Sequence, residues 1–167
     1  MSNNSWPPWE VKSSRLNLIT LRETVERPSE SGLSAEALGW MSRLLVVRSC
    51  GYLEKAVIEC ARGFVEEKSW GQVRSFGLTW LERSRNPKPA ALVELLGRFD
   101  ANLASEFQTF LSENGSRLET ELHALVHLRN RIAHGENEGV NRARALSLSS
   151  AGDEVADWWI SALNPLK

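Results

Sequence analysis

The chain has 167 residues, 42% hydrophobic and 25% charged, which suits a single globular domain with a real core and excludes general disorder. A net charge of −1 neither requires nor excludes a nucleic-acid partner, although 15 of the 20 basic residues are Arg, the better fork for phosphate oxygens. No apolar run could span a bilayer, and Trp6-Pro7-Pro8-Trp9 lacks the basic start and apolar stretch of a secretory signal. The expectation is a cytoplasmic protein with no membrane contact.

Proline punctuates the chain at Pro7, Pro8, Pro28, Pro87, Pro89 and Pro165, leaving two long stretches free to be helical. Leu far outnumbers Val plus Ile, which favours helix over strand. Residues 1–9 read as a flexible leader and 10–167 as one domain. Leu18, Leu21 and Val25 mark a first helix over 10–27. Leu53, Val57, Cys60, Ala61 and Phe64 form one stripe of a long helix over 34–68. Cys50 and Cys60 would lie about 15 Å apart on it, too far for a disulfide, so they are expected to be reduced and buried. Ser69 and Gln72 suggest a capping box for a third helix carrying Val73, Phe76 and Trp80.

After the loop at Asn86-Pro87-Lys88-Pro89, a short helix holds Leu92, Leu95, Leu96 and Phe99. Asp100 then caps a fifth with Leu103, Phe107, Phe110 and Leu111. Asn114-Gly115 reads as a turn, and Ser116 with Glu119 as a second capping box. The next helix runs from Arg117 to about His134 and stops at Gly135. A last helix carries Leu148, Val155, Trp158, Trp159 and Leu163. The fold class is all-α, a bundle of about five to seven helices. Most of the seven Trp residues are expected in the core or at a dimer contact.

The chemistry-bearing segment is Leu128-Arg129-Asn130-Arg131-Ile132-Ala133-His134-Gly135. An Arg-Asn pair with His four residues after the Asn arises by chance in roughly one chain in sixty of this composition. On a regular helix Leu118, Leu122, Leu125 and Ile132 share one stripe, and Arg129 falls on it. A guanidinium placed there needs a partner. Asn130 and His134 lie about 40° apart on another side. The helix dipole favours a protonated His134, while Arg129 and Arg131 oppose it.

Arg129-Asn130-x-x-x-His134 resembles the signature of HEPN domains. Gly51-Tyr52-Leu53-Glu54, the phenylalanine-rich middle and Arg-Asn-Arg-Ile-Ala-His-Gly together resemble the RiboL-PSP-HEPN branch over roughly 35–163. The resemblance implies a HEPN-like bundle and a metal-independent endoribonuclease, typically a dimer with a composite site and often a toxin or antiviral defence effector. It also implies an antitoxin or defence-system partner. The tyrosine that often follows the His in related toxins is replaced by Gly135-Glu136-Asn137, so regulation by its modification is not expected here.

Residue chemistry supports that assignment of roles. Attack of a ribose 2′-hydroxyl on its own phosphate needs proton removal, proton delivery and cationic support. His134 supplies proton movement or a phosphate contact, Arg129 a bidentate grip and Asn130 orientation. One chain has one motif histidine, so a homodimer with the last two helices, Trp158 and Trp159 near the axis is expected. Further candidates for RNA contact are Arg117, Arg131, Arg142, Arg144 and His127, each also readable as a solvated charge. His123 and His127 have the spacing of a metal clip, but Ala124 stands where an H-E-x-x-H motif has Glu, so no metal and no cofactor are expected. The competing interpretation makes Arg129 an ordinary buried ion-pair member and His134 a helix-end cap, in a catalytically silent interaction or scaffold module.

Overall fold

The computed structural model describes residues 6–27, 32–82, 86–136 and 139–166. Among these, six helices and no strands are present: α1 (Trp9–Glu26), α2 (Ala35–Lys68), α3 (Gly71–Leu81), α4 (Pro89–Gly97), α5 (Ala101–Ala133) and α6 (Arg142–Ala162). The all-α expectation and the helix order therefore hold. None of these helices is long and apolar enough to cross a membrane.

The 34-residue α2 is the axis of the bundle. Ser34 caps it, its hydroxyl accepting from the Ala37 amide at 3.1 Å. Glu36 in the first turn and Lys68 in the last both suit the helix dipole. Its most extensive contact is with α6, followed by α1. Small side chains let α2 and α6 lie close: Ser49 and Ala56 on α2, Ala145, Ser149, Gly152 and Ala156 on α6 are all buried. A methyl group at Gly152 would come into close van der Waals contact with Leu125 Cδ2 at 3.4 Å, so little spare room remains in the seam. Around this seam Leu45, Leu53, Leu122, Leu125, Leu148 and Trp159 are fully buried, each such side chain contributing about 1.5–3 kcal/mol.

Residues 6–8 of the expected leader are docked rather than loose. The Trp6 indole N–H donates to the Ile160 carbonyl at 2.6 Å, and Trp6 packs against the core. Residues 1–5 lie outside the described residues. Two ion pairs then clamp α1 onto α6, Arg15 to Asp157 at 2.6 Å and Arg22 to Asp153 at 2.5 Å.

Two local expectations need correcting. The Ser69 hydroxyl donates back to the Val65 carbonyl at 2.6 Å, so no capping box starts α3, which begins behind Trp70 without a side-chain cap. The fifth and sixth expected helices are the two parts of α5, separated at Glu113–Ser116 where the Asn114-Gly115 turn was expected, with Asn114, Gly115 and Ser116 in left-handed backbone angles. At φ 58° Ser116 lacks the extended backbone of an N-cap, so the second capping box is absent as well. Of the two tryptophans expected near a dimer axis, Trp158 is half-buried at the edge of the core. Trp159 is fully buried, and both rings pack against Phe107 inside the chain.

Candidate functional site at the end of α5

The last turns of α5 place Arg129 against α2. Leu118, Leu122 and Leu125 enter the core as the stripe requires, and Ile132 packs against it. Arg129, half-buried on the same side, meets a carboxylate: its Nη2 pairs with Glu54 Oε1. Its Nη1 donates to Asn130 Oδ1 at 3.1 Å. The guanidinium on an apolar stripe is thus compensated from two directions.

Glu54 reaches the site because of its position in Gly51-Tyr52-Leu53-Glu54. Tyr52 and Leu53 are buried in the core, while Gly51 and Glu54 line a groove of about 450 Å³ with Val47, Asn86 and Arg129. A neighbouring hollow of about 280 Å³ shares Gly51 and Glu54 and extends the groove past Lys55, Ile58, Arg62, Leu81 and Glu82. Asn86 Oδ1 is buried and accepts no hydrogen bond among the described residues. Beneath the guanidinium, burial pushes the Cys50 thiol above its ordinary pKa while Arg129 pulls it down. The groove thus offers part of a guanidinium, a carboxylate and an amide oxygen to a polar ligand.

His134 is the C-cap of α5 and is exposed. Behind it Gly135, at φ 79°, donates to the Ile132 carbonyl at 3.0 Å, and Glu136 donates to the Arg131 carbonyl at 3.0 Å. This paired closure is a Schellman motif, which needs a left-handed residue at Gly135. It holds the His134 backbone at a defined helix end while leaving its ring in solvent. Arg129 and His134 differ by about 140° around the helix and about 7.5 Å along it. No hydrogen bond joins them among the described residues, so one chain presents the two groups to different sides.

The remaining basic candidates do not gather around the motif. Arg117 pairs with Glu154 at 2.6 Å, some 25 Å along α5 from His134. Arg144 grips both Glu121 oxygens at 2.6 and 2.7 Å, about 20 Å along the axis from His134. Both therefore tie α5 to α6. Arg131 lies next to the motif, but its Nε donates to Glu136 at 2.5 Å. Arg142 and His127 are exposed, and Arg142 makes no ion pair among the described residues. The sequence reading missed Glu54 and Asn86 as groove residues. An acid facing away from the core on the one helix long enough to run beside α5 was the available signal for Glu54, whereas Asn86 gave none.

A family model described as RiboL-PSP-HEPN matches residues 11–156, most of the chain. Searches of curated proteins and of solved structures returned no match.

Proposed function

Since the chain belongs to the RiboL-PSP-HEPN family, we propose that it is a metal-independent endoribonuclease acting as a homodimer with a composite site. The observation that carries this is the intact Arg129-Asn130-x-x-x-His134 at the end of α5, with Arg129 braced beside an open groove. Bonds to Glu54 and Asn130 take two of the five guanidinium N–H groups. Others remain for a phosphate oxygen. Glu54 is then a positioning residue, fixing the plane of the fork.

In the reaction the ribose O2′ forms a bond to phosphorus and the P–O5′ bond breaks, leaving a 2′,3′-cyclic phosphate and a 5′-hydroxyl. One His134 accepts the 2′-hydroxyl proton, and the His134 of the second chain protonates the departing O5′. Arg129 stabilises the charge gathering on the non-bridging oxygens. Asn130 orients the fork. A toxin or antiviral defence role, with an antitoxin or defence partner, is the biological setting that suits such an enzyme.

The test is incubation of purified protein with total RNA in excess chelator. Cleavage is expected without added divalent ions, giving cyclic-phosphate ends, and is expected to disappear in Arg129→Ala and His134→Ala proteins that still fold. Equal background cleavage by wild type and both variants sinks the proposal. A strict requirement for a divalent ion sinks its metal-independent part. Relief of expression toxicity by the same substitutions would support the toxin or defence setting. One observation favours the second reading, a catalytically silent interaction module: Arg129 already has an acidic partner in its own chain. The same assay separates the two.

A further inference from the structure

Three side chains of core type stand in water along α3. Trp70, Val73 and Phe76 are 81%, 71% and 76% exposed. Spaced every three residues, they form one stripe from the N-cap through the first turns of the helix. Leu81, by contrast, is buried, and α3 rests on α2. Beside the stripe opens an apolar hollow of about 270 Å³, walled by Val65, Phe76, Trp80, Leu81 and Phe99 with Arg98 at its edge. A projecting aromatic and an apolar hollow therefore sit side by side. The other exposed apolar residues on helices, Trp9, Leu16 and Ile19 on α1 and Trp40 and Leu44 on α2, line none of the hollows named above, and Trp40 lies under the Arg43 guanidinium.

We propose that this face docks a second copy of the chain, the Trp70 and Phe76 rings of each copy covering the hollow of the other across a two-fold axis. An isologous contact needs a single patch complementary to itself, which a knob beside a hollow supplies. The size is suitable. At about 150–250 Å² per aromatic side chain, the stripe exposes on the order of 400 Å² per copy. Two copies bury an apolar centre of about 800 Å², and a polar rim extends it toward the roughly 1,200–2,000 Å² of a stable interface. Charge argues against nucleic acid in the same place. The one cation between Trp70 and Phe76 is Arg74, which is turned back onto the carbonyl oxygens of Ser69 and Glu66. Arg98 at the edge of the hollow is paired with Glu94 and lies over Trp80, and exposed Glu66 and Glu67 outnumber Lys68 at the adjoining end of α2.

The contact stands on the shape of α3; only its catalytic consequence rests on the composite-site reading. Leu81, which walls the apolar hollow, also lines the groove extension with Gly51 and Glu54, so the docking face adjoins that extension and not the Arg129 groove itself. Solution mass tests the proposal without any need for activity. Sedimentation equilibrium at micromolar concentration is expected to give twice 18.7 kDa for wild type and 18.7 kDa for Val73→Asp and Phe76→Asp. Both positions are exposed, so circular dichroism and the thermal transition of the monomers should show intact helices. A monomeric wild type overturns the proposal. So does a dimer whose mass neither substitution changes, a result that leaves the composite-site reading standing on another contact. A monomer that binds single-stranded oligonucleotide through Trp70 and Phe76 overturns it in favour of base stacking. A wild-type dimer that Phe76→Asp splits, but that cleaves no RNA, upholds the contact and removes the nuclease reading instead.

Discussion

At the scale of single residues, the pairing of Arg129 with Glu54 decides how the motif is held. Both side chains are 26% exposed, so removing one leaves a charge that water only partly reaches. Glu54→Ala is expected to cost about 1–3 kcal/mol in urea unfolding. The double variant Glu54→Ala/Arg129→Ala should lose less than the sum of the two single losses, because the stranded guanidinium has gone. Strict additivity would show that the two charges do not interact. The need for this partner was legible in the sequence, since Arg129 sits on the Leu118–Ile132 stripe. Its identity was not, because it depends on how α2 lies against α5, which no local spacing encodes. The buried titrating groups give a second expectation. Burial raises Tyr52 from 10.0 and Cys60 from 9.0, each to about 12. Both groups stay protonated in the fold after their unfolded counterparts have ionised, so the unfolded state binds fewer protons above pH 9. Their contribution is complete below pH 9 and is lost as pH rises through 9 to 12. Urea midpoints should therefore fall across that window, with a shallower fall in Cys60→Ala; a flat profile would contradict the burial of both groups.

Among the elements, helix ends separate what sequence alone can read from what it cannot. Asp100 Oδ1 accepts from the Asn102 amide at 2.7 Å, and Asn141 Oδ1 accepts from the Arg144 amide at 2.8 Å. Replacing either by Ala is expected to cost about 1 kcal/mol, whereas Ser69→Ala should cost clearly less because Ser69 caps no helix start. Equal losses at all three positions in thermal melts would refute this ordering. Gly135→Ala must hold an alanine at φ 79°, which costs about 1–2 kcal/mol and loosens the turn that fixes the His134 backbone. Helix existence was readable from proline placement and apolar period, as the near agreement at α1, α2 and α6 shows. Asp100 and the stop at Gly135 were readable too, since each acts on amides or carbonyls close in sequence. The Ser116 box misled because the cap also demands an extended backbone that Ser116 does not have, and the Ser69 box because an extended Ser69 spends its hydroxyl on the Val65 carbonyl while the helix starts behind Trp70. The full burial of Trp159 and half-burial of Trp158 were hidden for a different reason. Aromatic residues suit a core and an interface equally, and only the approach of Phe107 and Phe110 from α5 decides between them.

At the scale of the whole molecule, α2 joins the stability of the bundle to the candidate chemistry. One side of it packs on α1 and α6, while Glu54 braces Arg129 from the groove. His134 lies at a free helix end on another side of α5. A phosphate gripped by Arg129 in one chain therefore has no histidine of that chain hydrogen-bonded beside it, and a second chain is the natural source. The composite site makes a quantitative demand on mixed populations. If a dimer builds one site from both chains, only pairs of two intact chains cleave. Activity then follows the square of the wild-type fraction when subunits exchange freely with an Arg129→Ala/His134→Ala double variant. If each chain carries an independent site, activity follows the fraction itself. At equal mixing the shared site retains about a quarter of the activity of an equal total of wild type, and independent sites about half. The experiment requires that the double variant enter dimers normally, which sedimentation of the mixture checks. It also requires a dilute incubation before RNA is added, so that old pairs dissociate. A linear dependence on wild-type fraction in a mixture proven to exchange would refute the composite site. It would also assign both proton transfers to groups of one chain, with Glu54 the nearest carboxylate to the Arg129 fork.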